Sequence, residues 1–555
     1  MSRQEQGTKK FCKICGGVCA AAVALAMVIG VATGGLSDRP SDDTSGKGQS
    51  PVKEDGGSSH NEVQVTEKHW SDNILMKVDR INFDGDIFGA DGGALGSDIE
   101  RSRIKTVTFL DSLDGMPENA WDVSADSSGK VMAWVVARDD GEYDLYISGE
   151  GGVAANADSS YLFQNYKEVE QIKINGNFHT ENTTDMGDMF FNCASLTSVD
   201  VSGFDTSNVT DMGGMFDYCT SLTDLDVSGF DTSSVTDMDG MFAYCKSLTN
   251  VDVSRFDTSK VTSMNQMFAG CEGLTSVDVS GFDTSNVTDM GDMFYHCTSL
   301  MNLDVNGFDT SNVTDMGDMF YHCTSLMNLD VSGFDTSEAT DMSGMFFFCT
   351  SLTNLNVSGF DTSSVTDMGG MFTNCKNLTK VDVSSFDTSK VTSMNLMFAG
   401  CEGLTSVDVS GFDTSKVTDM GQMFADCEGL TSVNVSGFDT SKVTDMSGMF
   451  SGCERLTSVD VSGFDTSKVT DMGGMFSGCE RLTSVDVSGF NTSEVTYMWM
   501  MFRKCKSLTS IDVSGFDTSK VTNTEDMFSG CDKLTGLDVS NFTPDQIYWM
   551  WGGSL

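Results

Sequence analysis

Between residues 169 and 543 the apolar positions follow a spacing that returns every 26 residues. One copy places Leu222, Leu225, Val227, Phe230, Val235, Met238, Met241, Phe242 and Cys245 at its apolar positions. Leu225-Asp226-Val227 alternates with period two, which predicts a short strand with Asp226 facing out. Gly229 and Asp231-Thr232-Ser233 carry turn chemistry, because Asp and Ser side chains bond nearby backbone. Val235 to Met238 predicts a second short extended segment. Met241-Phe242-x-x-Cys245 has the spacing of one helical or 3₁₀ turn. Strand, corner, return segment and helical turn make one coil of a solenoid. Nine inward residues are too few for a core, so each coil depends on stacked neighbours. The expected architecture is a right-handed solenoid of about 14 coils with one parallel sheet of short strands.

The columns are strict. Cysteine recurs without a slip from Cys193 to Cys531, which accounts for 14 of the 17 cysteines. One cysteine per coil is not the clustered pattern of a disulfide framework, so a column of buried free thiols is expected. Two Phe columns, starting at Phe178 and Phe190, hold 29 of the 37 Phe. Two Met columns, starting at Met186 and Met189, hold 27 of the 36 Met and read as a soft, gap-filling core.

The run V-S-G-F-D-T-S-N-V-T-D-M-G-G-M-F-D-Y-C-T-S-L at 201–222 resembles the BspA-like leucine-rich repeat in its 26-residue bacterial surface-protein form. The resemblance covers about 169–543. Upstream, I-K-T-V-T-F-L-D-S-L (104–113), A-W-D-V-S (120–124) and Y-D-L-Y-I-S-G-E-G-G-V (143–153) are similar to the segment preceding such arrays in proteins of anaerobic gut Firmicutes. The resemblance implies a cell-surface, leucine-rich-repeat-like solenoid associated with adhesion to host or matrix proteins. It brings no catalytic residues.

The charge balance is strongly acidic, 81 Asp and Glu against 33 Lys and Arg, for a net charge of −48. Such a chain repels nucleic acid and anionic membrane surfaces, so no nucleic-acid partner is expected. Much of the acid is patterned. The outward strand position is Asp in 12 of 14 coils, from Asp200 to Asp538. The position after the first Phe is Asp in 12 of 13, and a third column, beginning at Asp211, in nine of 13. Like charges on neighbouring strands repel, so the outward ladder should recruit cations or hold raised pKa values. Asp200, Asp226, Asp252, Asp278, Asp304 and Asp330 are the candidate metal ligands, with calcium as the candidate ion; a solvated, solubilising face with turn-capping Asp and a ligand-binding acidic face are the alternatives. A broken basic stripe, Lys260, Lys390, Lys416, Lys442, Lys468 and Lys520, runs beside the acid. Residues 281–305 and 307–331 are identical and carry His296 and His322, which read as duplicated surface residues rather than a metal pair.

Residues 1–37 carry Arg3, Lys9, Lys10 and Lys13 and then 24 uncharged residues, Ile14 to Ser37. They read as a cleavable signal peptide or an uncleaved N-terminal anchor that places the array outside the membrane. Gly16-Gly17-Val18 before Cys19 is a poor lipobox, and the C-terminus offers no sortase-type motif. Residues 38–66 read as a flexible acidic, Ser/Gly-rich stalk. Residues 67–168 read as a small β-rich domain capping the first coil, with strands at Val107 to Leu110, Val131 to Val136 and Asp144 to Ile147, and with Trp121 and Trp134 packed inside. Asp84-Gly85-Asp86 and Asp91-Gly92-Gly93 fail the EF-hand spacing and read as turns. Residues 544–555, with Tyr548, Trp549 and Trp551, read as a C-terminal cap over the open core, or as an exposed partner-binding patch.

The chain holds no HExxH, Walker A, GxGxxG or GxSxG pattern. Its five His stand beside no distinct nucleophile. An enzyme is not expected. The expected function is adhesion, or binding of a host or matrix protein or glycan, through variable solenoid positions at 208, 213–214, 217–218, 220–221 and their equivalents. The alternatives are a structural spacer or surface coat, and a cell-envelope hydrolase.

Overall fold

In the computed structural model, residues 70–78 and 93–552 are described. The segment 1–37, the stalk at 38–66 and the turns at 84–86 and 91–92 lie outside the described residues. Among those described, no helix is long and apolar enough to cross a membrane.

The N-terminal region holds β1 (Ile104–Leu110), β2 (Trp121–Asp122), β3 (Val131–Ala137), β4 (Tyr143–Gly149) and β5 (Val153–Ala154). Next come β6 (Gln171–Lys173), β7 (Phe178–His179) and β8 (Ser198–Val199). One six-stranded sheet has the order β2-β3-β4-β1-β6-β8. Strands β3 and β4 pair antiparallel, from Val131 opposite Gly149 to Ala137 opposite Tyr143. Strand β1 then pairs parallel with β4 on one side and with β6 on the other, Thr106 opposite Gln171. Because β6 in turn pairs with β8, the sheet passes into the first coils and covers the edge a solenoid would otherwise expose. Val107, Phe109, Val131, Ala133, Leu145 and Ile147 are fully buried beneath it. Trp134 stacks on Tyr146 at 5.6 Å, and Trp121 packs against the core while its indole N–H donates to the Leu95 carbonyl at 3.3 Å. The buried Arg101 ties this region to the coils by donating to the carbonyls of Gln164 at 2.8 Å and Tyr161 at 3.4 Å.

Coil stacking begins before residue 169. Val153 pairs with Phe178, and the Phe163 amide donates to the Met189 carbonyl at 2.8 Å in the register that later coils repeat. Phe163 opens a column of stacked rings that continues through the fourteen Phe from Phe190 to Phe528 and closes on Trp551. Centroid separations run from 5.3 Å at Phe190–Phe216 to 6.0 Å at Phe216–Phe242. At the far end α1 (Pro544–Trp549) starts at the Thr543 cap, whose hydroxyl accepts from the Gln546 amide while the Gln546 side chain accepts from the Thr543 amide. The Phe528 amide donates to Met550, so the tail continues the coil bonding across the open end.

The hydrogen bonds between coils do not sit where the alternating Leu-x-Val pattern would put them. At the 224-type position only scattered parallel bridges occur, such as Asn302 to Asn328 to Asn354. An unbroken series runs instead through the 211-type column, one residue per coil, from Asp158 to Asn523. Beyond it the chain alternates. Met316, Asp318, Phe320 and His322 donate their amides to Asp341, Ser343, Met345 and Phe347 of the next coil, while Met319, Tyr321 and Cys323 donate three residues back, at 2.6–3.4 Å. The 3₁₀-type bonds are therefore present but never consecutive. The alternation requires a left-handed residue twice per coil, at Asp318 (φ 53°) and His322 (φ 60°) and all their equivalents.

Side chains add a second ladder. Each buried Thr of the Asp-Thr-Ser triplet donates its hydroxyl to a carbonyl of the next coil, Thr336 to Asp361 at 2.9 Å. Each buried thiol donates to a Phe carbonyl of the preceding coil, Cys349 to Phe320 at 3.2 Å, and all fourteen array cysteines are free and buried. Burial pushes the Cys349 thiol up to about 12, so the thiolate does not form near neutral pH. Replacing Thr336 by Val keeps the shape but leaves the Asp361 carbonyl without its donor, and should cost about 1–3 kcal/mol. Thr340→Val should cost less than about 0.5 kcal/mol, because Thr340 is exposed and its amide still reaches the Thr314 carbonyl. Urea midpoints compare the two, and equal losses would refute the buried ladder's role.

Candidate functional site

The six candidate ligands lie on one exposed column but are not gathered into a site. The Oδ1 of Asp226 accepts from the Ser228 amide at 3.0 Å and from its hydroxyl at 2.6 Å. Asp200, Asp252, Asp278 and Asp330 repeat this with Ser202, Ser254, Ser280 and Ser332. Asp304 does so with the amide and side chain of Asn306. Each carboxylate closes its own turn. The expectation that repulsion raises their pKa values is corrected: the serine hydroxyls hold Asp200, Asp226, Asp252, Asp278 and Asp330 below the usual carboxylate range. Exposure to water makes the neighbour-to-neighbour repulsion the weaker effect. Asp278, Asp304 and Asp330 border a shallow depression of about 530 Å³ floored by Val277, Leu303 and Leu329. Among the described residues no three His, Cys, Asp or Glu side chains are arranged to hold a metal ion.

The raised values lie in the 211-type column and beside it. These Asp residues are half-buried, and the Oδ1 of Asp211 accepts from the Gly213 amide at 2.9 Å. Burial, reinforced by Asp neighbours one coil away, pushes Asp211 up to about 6 and Asp315 up to about 7. Burial does the same to Asp239, to about 7, to Asp292, to about 6, and to Asp318, to about 8. The ladder backbone places these carboxylates on the wall of the coil, where they are half-buried, whereas the 226-type carboxylates are exposed. Column counting alone finds the 211-type Asp but does not separate it from the exposed ones. The separating signal is its position inside Val-Thr-Asp-Met, between two inward residues of the return segment.

Over the first coils this wall hollows into a polar groove of about 320 Å³ lined by Asp185, Asp188, Asp211, Asp217, Asp237 and Asp239. Among the described residues no Lys, Arg or His lines it. Lys77, near one end, is paired with Asp158. The Oδ1 of Asp217 is sealed from solvent and accepts no hydrogen bond. Burial, with Asp188 nearby, drives the Asp217 pKa well above the usual carboxylate range.

Three further coils carry a block of half-buried rings, in which the duplicated stretches repeat Tyr295 as Tyr321 and His296 as His322. Tyr295, Tyr321 and Phe347 stack at 4.8 and 4.6 Å, and His296, His322 and Phe348 at 4.2 and 5.2 Å. Burial and the facing His322 lower the His296 pKa to about 4, which keeps the pair neutral. The Lys column is exposed throughout, and Lys520 pairs with Glu494 at 2.7 Å.

The family described as "Mycoplasma protein of unknown function, DUF285" matches residues 157–275, 246–357, 340–459 and 427–542. The first match starts within one residue of Asp158, where the bridge series begins. No curated protein matches the chain. Among solved structures, a leucine rich cell surface protein from Faecalibacterium prausnitzii A2-165 is 20% identical with a TM-score of 0.32, over 62% of this chain and 94% of that one. The TLR13–ssRNA13 complex is 14% identical with a TM-score of 0.18, over 70% and 69%. Neither likeness bears on function.

Proposed function

The chain belongs to the DUF285 family and is a BspA-like leucine-rich-repeat protein, and from that premise we propose that it is a non-catalytic cell-surface adhesin that binds a protein or glycan through the side of its solenoid. Its N-terminal segment 1–37 would carry it to or anchor it in the membrane.

The observation that supports this reading is the separation of fixed from variable columns. The Leu, Val, Phe, Met and Cys columns are buried and nearly invariant from coil to coil. Variation gathers at columns such as those of Asn208, Asp217, Tyr218, Thr220 and Ser221, which are at least partly exposed in that coil. A solenoid so built changes its surface without changing its fold, and it offers a long face to a large ligand. The acidic groove and the ring block are two products of that variation, on separate coils.

The test is saturable binding of the chain from Glu67 onward to arrays of matrix proteins and glycans. The reading requires at least one ligand whose binding falls when Tyr321 is replaced by Ala or when the groove carboxylates are neutralised. Absence of any saturable ligand would leave a spacer or coat as the better description.

A further inference from the structure

We propose that the shallow depression over the duplicated coils binds a neutral, linear, β-linked glycan laid along the solenoid axis, one sugar to a coil. This names a ligand class for the adhesin proposed above and rests on that reading.

The outward Asp column does not single out this place, because it runs almost the whole array. Two exposed columns beside it do. At the 301-type position every other coil carries Thr, and only Met301 and Met327 depart from it. They are 43% and 47% exposed, so two large apolar side chains are held in water on adjacent coils. At the next position Ser is the commonest residue, but three successive coils carry Asn302, Asn328 and Asn354. Parallel bridges join these three, and no later coil has a bridge at that position. The chain is therefore drawn into a regular sheet under the depression. The duplication of 281–305 as 307–331 repeats Met-Asn-Leu-Asp on both coils. It creates two identical subsites about 4.8 Å apart. A ligand that fills both must itself repeat.

The chemistry of the subsites suits a sugar. The floor of Val277, Leu303 and Leu329 is apolar and offers burial to the C–H face of a pyranose ring. The rim offers what hydroxyls need, since each hydroxyl both donates and accepts. Oδ1 of Asp304 accepts from the amide and side chain of Asn306 at 3.1 and 2.9 Å. Oδ1 of Asp330 accepts from the amide and hydroxyl of Ser332 at 3.0 and 2.6 Å. Each carboxylate is thus oriented by its own turn through Oδ1, and Oδ2 is left to accept from a ligand. Of the three Asn, only Asn354 makes a side-chain hydrogen bond among the described residues, to Thr353. The exposed amides of Asn302 and Asn328 supply the donors.

Charge and geometry weigh against other polymers. Asp278, Asp304 and Asp330 repel an acidic chain, and no Lys or Arg lines the depression to offset them. An extended polypeptide adds to a sheet through a free edge, whereas this is a face whose backbone is already bridged from coil to coil. The coil spacing of about 4.8 Å is close to the advance of one sugar in an extended β-linked chain. The depression spans the four coils from Val277 to Asn354, which sets the length of glycan it can hold.

The experiment is calorimetric titration of the full chain with β-1,4-linked oligosaccharides of glucose, mannose, xylose and N-acetylglucosamine, from disaccharide to hexasaccharide. At least one series should bind, tightening by roughly tenfold or more from disaccharide to tetrasaccharide and levelling off beyond it. Met301→Thr, Asn302→Ser, Met327→Thr and Asn328→Ser, combined in one variant, restore the Thr-Ser that seven other coils carry, so this variant should fold. It should lose roughly tenfold or more in hexasaccharide affinity. Asp304→Asn keeps its turn, as Asn356 does with the Ser358 amide at 3.2 Å and hydroxyl at 2.8 Å. It should weaken binding roughly threefold or more, while Asp460→Asn, on a distant coil, should change it by less than about twofold. No binding in any series, or binding that the combined variant leaves unchanged, overturns the inference. Neither result touches adhesion through other coils, which Tyr321→Ala tests on the arrays. If no oligosaccharide binds and the combined variant instead loses a matrix protein captured on those arrays, the face is a polypeptide site and the glycan named here is wrong.

Discussion

Lowering the pH from 8 to 5 should raise the thermal unfolding temperature of this protein. Asp211 and Asp292 are held up at about 6, Asp239 and Asp315 at about 7 and Asp318 at about 8, each chiefly by burial. In the unfolded chain they return to an ordinary Asp value of about 3.9. Between that value and the folded one the native state binds more protons, so stability falls as pH rises. The penalty is complete above about pH 8 and disappears below about pH 4. A tenfold change in proton affinity corresponds to about 1.4 kcal/mol. Partial exposure and screening cut that severely, yet five such groups still leave an effect on the order of several kcal/mol. Two opposing sets are smaller. Burial lowers His179, His296 and His322, so they lose stability as pH falls below about 6.5. The lowered 226-type carboxylates lose theirs only below about pH 4. The optimum should fall near pH 5. Asp318→Asn should raise stability at pH 8 and flatten the profile. A melting temperature that is unchanged or higher at pH 8 would show that the wall carboxylates are hydrated after all.

The same contrast shows what can be read from the chain. The period, the Phe, Met, Leu and Cys columns and the three N-terminal strands follow from side-chain hydrophobicity, which repeats faithfully. The fate of each Asp column does not, because Asp-x-Ser in a turn and Asp-x-Gly on the coil wall are locally alike. The return segment reads as extended and then helical because Met212, Met215, Phe216 and Cys219 keep helical spacing. A helix cannot hold Gly214 at φ 62° and Tyr218 at φ 59°. The signal lies in the variable columns. Across fourteen coils the 188-type position is Asp, Gly, Gln, Leu or Met and the 192-type position Asn, Tyr, Gly, His, Phe, Asp or Lys, never Val, Ile or Thr. Excluding β-branched residues while favouring Gly, Asn and Asp marks a left-handed backbone. The array's start near Asp158 is hidden for a different reason. The first coil carries Leu162, Phe163 and Tyr166 where later coils carry Met, Phe and Cys, and it is one residue longer, Asp158 to Asp185.

Truncating one ring in the middle of the Phe column should have the largest effect of any single substitution. Phe346 is fully buried and stacks on Phe320 and Phe372, both at 5.8 Å. Phe346→Ala removes both contacts and leaves a cavity walled by its neighbours, at a cost of about 3–5 kcal/mol. Collapse into that space is resisted, because the Phe346 backbone is tied to the Met371 carbonyl and receives the Cys349 amide. Phe346→Leu fills most of the volume and should cost clearly less. The architecture decides how the loss appears. Each coil touches only its neighbours, so stability is a sum of coil terms and interface terms, and weakening two adjacent interfaces divides the array. Denaturant unfolding followed by fluorescence at the two ends, Trp134 near one and Trp551 near the other, should separate into two transitions in Phe346→Ala and remain closer to one in the parent. Phe528→Ala, next to the α1 cap, should instead release only the last coil. If both alanine variants unfold in one unchanged transition, the ring column is filler rather than the element that makes the coils cooperate.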